Sequence, residues 1–326
     1  MRNAVARIAA VVLIVTTLDL APVTSARRIS APNGAAAQTA SSPAPAGDCC
    51  SADAQKQLAA SVGFVDIVGI KLGMSPAQVT AALKANGPAL GYKVYTSRLT
   101  MPSNPNSFVK IPHYIIAHKS PAPAADHSSE YIIVEFTLPP NPPVVARVYR
   151  KVTFADGQAV AAGTLISALQ KKYGTEYRAN SIYHYWLYQT TGQPVTAPLS
   201  GSAANCNTVA GTNDGSGAFP GPPVNDNATS TEYGNPISLQ NTLLPPPNDN
   251  SDTGSACVGY VSVVGTVISP NPGDPKSLSG SMSVAMQSAG LLRDSLFSDH
   301  NWMEADLDAK NKKATDDGAA RSAPKL

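Results

Sequence analysis

The chain has 326 residues, of which 14% are charged, with 28 prolines, 24 glycines and a formal net charge of +2. So small an imbalance argues against nucleic acid or an anionic membrane surface as partner. The length allows one or two domains with a proper core, and the loop-forming composition suits an extracellular protein.

Residues 1–26 read as a signal peptide: Arg2 and Arg7 precede an apolar run from Ile8 to Leu18, and Thr24-Ser25-Ala26 offers a small-residue cleavage site. The run is too short to span a bilayer and Asp19 ends it. A periplasmic or secreted protein with no stable membrane insertion after cleavage is therefore expected. Residues 27–60, rich in Ala, Ser and Pro, read as a flexible leader, and 61–309 as the folded domain.

Export places the four cysteines in an oxidising compartment. Vicinal Cys49 and Cys50 would form a strained bridge, so Cys206 with Cys257 is the expected disulfide, worth ~4 kcal/mol by loop closure. Crossed pairings between the two sets remain open.

The most organised stretch runs from Gly69 to Gly87. Ser75 is an N-cap, Pro76 sits at N1, and Gln78 completes a capping box. Val79, Ala82 and Leu83 share one face, and Gly87-Pro88 ends the helix. Tyr92 to Tyr95 alternates weakly. Phe108 to Ala117 has strand composition, with Pro102, Pro105 and Pro112 arguing for an edge.

Tyr131 to Leu138 and Val144 to Phe154 predict an antiparallel hairpin across Pro139 to Pro143. In its second arm Val144, Ala146, Val148, Arg150 and Val152 alternate with Val145, Arg147, Tyr149 and Lys151. Arg147, Arg150 and Lys151 read as solvated strand charges. Thr164 to Tyr173 predicts a second helix ending at Gly174. Both helices carry Ala-Leu before a terminal glycine, which permits tandem units at 61–158 and 159–309.

Ser181 to Gln189 is an aromatic strand. From Thr190 to Ala256 the composition turns to Gly, Asn, Asp, Ser, Thr and Pro, a loop of functional or disordered character. Val258 to Ile268 and Ser281 to Met286 predict a second hairpin, and Leu291 to Ala309 an amphipathic closing helix. Residues 310–326 read as a disordered tail.

No cofactor or metal is expected. His113 and His118 are an odd number of residues apart, so on a regular strand they face opposite sides and cannot chelate together. There is no Gly-x-Ser-x-Gly elbow and no phosphate-binding glycine loop. Asp249 to Gly254 has an EF-hand-like start, but Tyr260 stands where a bidentate Glu is needed, so turn formation is the simpler reading. Asn227-Ala228-Thr229 is a formal glycosylation acceptor. Tyr183 and Tyr185 are the candidate binding aromatics. Regular alternation would put them on one face, and Ile182, His184, Trp186 and Tyr188 on the other, against the helices.

The segment from Val65 to Leu83, with its Gly73-Met74-Ser75 helix opening, resembles that of exported proteobacterial proteins, in particular the SmpA/OmlA-type outer-membrane assembly lipoproteins and the β-lactamase inhibitor protein fold. The resemblance implies an α+β layer, helices packed on antiparallel sheet, and a protein-binding role. The chain departs from it in lacking a lipid-attachment cysteine and in its long Cys206–Cys257 segment. The expected function is a non-enzymatic binding or assembly protein whose partner is another envelope or secreted protein, met through the sheet face or the long loop. The alternative is a hydrolase or carbohydrate-active enzyme with a dispersed site, built on carboxylates such as Glu135 or Glu176.

Overall fold

The structure is a computed structural model, which describes residues 51–86, 90–119, 129–155, 157–199, 206 and 257–320. Residues 1–26, read as a signal peptide, Cys49 and Cys50, Gly87, the Asp249 to Gly254 stretch and Asn227 lie outside these residues.

The helix expected after Ser75 forms as read. The Ser75 hydroxyl accepts from the Gln78 N–H and the Gln78 Oε1 accepts from the Ser75 N–H at 2.8 Å, closing the capping box at the head of α2 (Pro76–Ala85). Val79 and Leu83 are its buried residues. Ahead of it, Asp66–Ile67 (β1) and Ile70–Lys71 (β2) form a two-stranded ribbon.

The segment read as flexible leader is corrected in its last turns. Ser51 caps a helix, α1 (Ala52–Ser61), whose Gln55 is buried and donates from Nε2 to the Thr137 hydroxyl at 2.9 Å. Gly73 has a φ of +80°, and a Cβ there would lie 2.2 Å from the Ala59 carbonyl oxygen, so only glycine lets α1 pass this close.

The remaining elements are β3 (Gly91–Met101), β4 (Asn104–Lys119), β5 (Ser129–Phe136), β6 (Val145–Thr153), β7 (Val160–Ala161), α3 (Ala162–Tyr173), β8 (Arg178–Ala179), β9 (Tyr183–Gln189), β10 (Tyr260–Ile268), β11 (Leu278–Ser279), β12 (Ser281–Ser288) and α4 (Ala289–Ala319). Eight strands make one antiparallel sheet in the order β3-β4-β5-β6-β12-β10-β9-β8. Both expected hairpins are present as β5–β6 and β10–β12. The fold is α+β, with the helices packed against this sheet.

The prolines of β4 fall where edge chemistry permits them. β4 pairs with β5 only from Tyr114 onward, so Pro105 and Pro112 lie in an arm where β3 is the single neighbouring strand among the described residues.

One sheet face carries the main core. Ile115, Ile132, Val134, Val148, Val263 and Trp186 lie there under Val79, Leu83, Leu169 and Leu291 from the helices. α2 packs over β4, α3 over β10, and the β1–β2 ribbon over β6 and β12. Gly265 gives α3 and Trp186 room over β10: a Cβ at that position would stand 2.8 Å from Leu169 Cδ1 and 3.2 Å from Trp186 Cζ3, so these side chains would have to shift. Apolar burial of this kind is worth roughly 25 cal/mol per Å².

The closing helix is longer than its apolar pattern suggests. α4 continues through Ala319 across residues read as tail, held by its Ser288 cap and the Lys312–Asp316 pair at 3.0 Å. It crosses the end of the sheet, where Ser295 accepts from the Leu138 N–H at 2.6 Å, and meets the β3–β4 turn, where Asp306 accepts from the Ser103 N–H at 2.9 Å. Asp299, between these contacts, is fully buried with neither carboxylate oxygen hydrogen-bonded. Burial pushes its carboxyl up to about 7.

Candidate functional site

The second face of the sheet has no such aliphatic core, and it is here that the polar and aromatic strand residues collect. Cross-strand pairing lines them up in rows. The row nearest α4 passes through Tyr114, Glu135, Arg147, Gln287 and Ser262, which are successive Cα partners. Its neighbour passes through Ile133, Tyr149, Ala285, Val264 and Tyr185. Tyr131, Lys151, Ser283, Thr266 and Tyr183 form the third.

The first row is a buried polar network. Glu135 and Arg147 are each 7% exposed, and Arg147 Nη1 stands 3.2 Å from Glu135 Oε2. The Tyr114 hydroxyl donates to Glu135 Oε1 at 3.4 Å, and His113 Nε2 is 3.8 Å from the same oxygen. Burial lowers the His113 pKa against the opposing pull of Glu135, and burial together with the Glu135 charge raises that of Tyr114. The imidazole is thus held toward its neutral form and the phenol protonated. Arg147 is not the solvated charge expected of it. Its Cα partner is an acid, and the two lock each other inside.

His113 reaches this face through a bulge. Tyr95 pairs with Tyr114 and Thr96 with Pro112, leaving His113 as the extra residue, and its ring lies 4.1 Å from that of Tyr114. The parity argument that set His113 and His118 on opposite sides is therefore overturned: His118, the partner of Tyr131, shares the face. About five residues of strand still separate the two imidazoles by roughly 15 Å. Among the described residues no group of three or more His, Cys, Asp or Glu side chains is placed to hold a metal ion.

In the other two rows the tyrosines, Lys151 and Ser283 are partly exposed, while Ile133, Ala285, Val264 and Thr266 are buried. Tyr131 and Tyr149 pack with ring centroids 5.7 Å apart on β5 and β6, and Tyr183 and Tyr185 lie 6.3 Å apart on β9. All four are half-buried. Between the two pairs run β12 and β10 with the small residues Ser283, Ala285, Val264 and Thr266, of which all but Ser283 are buried. Tyr149 and Tyr185 lean against Val264 and Ala285 from opposite sides. Burial and the neighbouring Tyr183 raise the Tyr185 pKa, leaving its phenol protonated at neutral pH. Such a surface offers flat apolar contact with hydroxyls at its margin.

Tyr183 and Tyr185 thus point away from the helices, while His184, Trp186 and Tyr188 are buried toward them. Trp186 donates to the Gly174 carbonyl at 2.9 Å, and His184 Nδ1 meets Glu176 Oε1 at 2.8 Å. Glu176 therefore belongs to the helix side and Glu135 to the outer face. The two carboxylates named for a dispersed active site do not face one another.

The Cys206 and Cys257 sulfurs are bonded, at 2.05 Å, and pack with Leu187 and Ala289 at the end of the outer face, where Ser262 donates to the Cys206 carbonyl. The segment between the two cysteines lies outside the described residues.

The buried Glu135–Arg147 pair escaped the sequence reading, although a signal was present. Both residues are equidistant from Asn141, the centre of the expected turn, so a symmetric hairpin sets opposite charges face to face.

No protein-family model matches this chain, no curated protein matches it, and no solved structure matches it.

Proposed function

We propose that this chain is an exported, non-enzymatic interaction protein of the cell envelope or secreted fraction, and that its outer sheet face docks a partner protein. The observation that carries the reading is the tyrosine surface: Tyr131, Tyr149, Tyr183 and Tyr185 stand half-buried on the outer face, Tyr149 and Tyr185 packed over buried Val264 and Ala285. Tyrosine supplies large contact area at low entropic cost, and such residues dominate protein interfaces. The resemblance of Val65 to Leu83 to exported assembly and inhibitor proteins supports the same reading, as does a disulfide suited to an oxidising compartment. A helix followed by an antiparallel meander occurs twice, with the last strands β6 and β12 paired, which supports a tandem organisation of the docking sheet.

The test is partner capture from cross-linked cell envelope by the wild-type chain and by Tyr149→Ala/Tyr185→Ala. Loss of a stoichiometric partner, with circular dichroism unchanged, is the expected result. Retention in this variant combined with loss on deleting residues 208–255 would move the partner surface to the long loop.

A further inference from the structure

The two edges of the sheet are treated differently. At one edge β9 is covered: β8 pairs with it, the Val195 N–H donates to the Leu187 carbonyl at 2.8 Å, and Pro194 bridges to Tyr188. At the other edge β3 presents 11 residues, with β4 as its single strand neighbour among the described residues. A long edge strand left open exposes a row of backbone donors and acceptors, and proteins normally cap, shorten or charge it.

The side chains of β3 say what kind of chain fits. Tyr92 and Val94, paired with Ala117 and Ile115, lie on the helix side, yet the helix layer leaves them 36% and 42% exposed. Lys93 lies on the outer side, its ammonium 5.2 Å from the Tyr95 ring centroid. From Leu90 to Lys119 the hairpin carries Lys93, Arg98, Lys110 and Lys119 and no Asp or Glu. An antiparallel pairing of β3 with a second copy of itself would bring these like charges together, so the edge is guarded against self-association. An acidic strand meets no such penalty.

We propose that β3 is a docking strand that takes an extended acidic segment of a partner protein as an additional strand of the sheet, the segment's apolar side chains meeting Tyr92 and Val94 and its carboxylates meeting Lys93. Backbone hydrogen bonds supply the affinity and the alternation of apolar and acidic residues supplies the selectivity. The β3 edge borders the outer face through Tyr95, which clusters with Tyr131 and Tyr149, and the two proposals are told apart by different variants.

The experiment is fluorescence anisotropy of a labelled peptide alternating valine and glutamate, titrated with the mature chain. Saturable binding is expected, weakened about tenfold or more by methylating the peptide nitrogens of one edge, and by replacing glutamate with lysine. Lys93→Glu should reverse the preference between the two peptides, a swap that general damage to the fold would not produce. Tyr149→Ala/Tyr185→Ala should bind the peptide as wild type does. No binding, equal binding of the N-methylated peptide, loss of binding in the tyrosine variant, or a dimer of the chain that the peptide dissociates would each overturn the proposal. So would binding that emerges only when residues 208–255 are deleted, since those residues carry acids and no Lys or Arg.

Discussion

The two faces of the sheet are both closed to water, but by different means. The helix side is closed by another layer: Val, Ile, Leu and Trp side chains are pressed under α2, α3 and the β1–β2 ribbon. The outer side is closed largely by its own strands, with tyrosines leaning over small residues and Glu135 neutralising Arg147. A face completed by helices is committed to stability. A face completed by its own aromatics keeps contact area for a second molecule.

On the helix side the largest effect is expected at Trp186, which is 1% exposed and packs with Leu169 of α3 over Gly265 of β10. Trp186→Ala should cost about 3–5 kcal/mol of unfolding free energy, measured by denaturant titration. Tyr185→Ala, one strand position away on the outer face, should cost far less.

The Glu135–Arg147 pair sharpens the contrast, because it lies on the outer face and is nonetheless buried. Arg147→Ala should destabilise by about 3–5 kcal/mol by stranding the Glu135 charge, and replacing both residues with apolar ones of similar volume should recover most of that loss. If the single and double variants cost the same, the pair is not a coupled unit. On the same two strands Arg150 meets Glu130 at 2.7 Å with both side chains partly exposed, and Arg150→Ala should cost at most about 1 kcal/mol.

Asp299 gives the pH dependence. Its carboxyl in the folded chain keeps its proton to about pH 7, whereas in the unfolded chain it ionises near pH 4. Between these values the folded state holds the extra proton, so stability falls as pH rises from about 4 to about 7 and is level above, a loss on the order of 4 kcal/mol. Asp299→Asn should remove that slope and leave the protein more stable than wild type at pH 8. An unchanged slope would place the titration elsewhere.

Much of this architecture was legible in the residues. Ser75-Pro76-x-Gln78 specifies a helix start by local hydrogen bonding alone, and the alternation read in β6 and β9 assigns their side chains to the two sheet faces. What failed was reasoning that needs neighbours. α1 hides in an Ala/Ser/Pro-rich stretch because its helix rests on tertiary contacts such as Gln55 to Thr137. The extra residue at His113 reverses strand parity, and nothing local announces a bulge. Arg147 looks solvated until the register places Glu135 opposite it. Tyr183 and Tyr185 point outward as alternation requires, but Tyr131 and Tyr149 join them only through strand order, with β12 and β10 inserted between β6 and β9.

The most direct measurement is site-specific photo-crosslinking in living cells, with a benzophenone amino acid at position 149 or 185 and, as control, at exposed Lys84 on α2. One saturable adduct is expected from positions 149 and 185, identified by mass spectrometry as the same partner, and none from position 84. Equal adducts from all three positions, or an adduct from position 84 alone, would contradict the outer face as the docking surface.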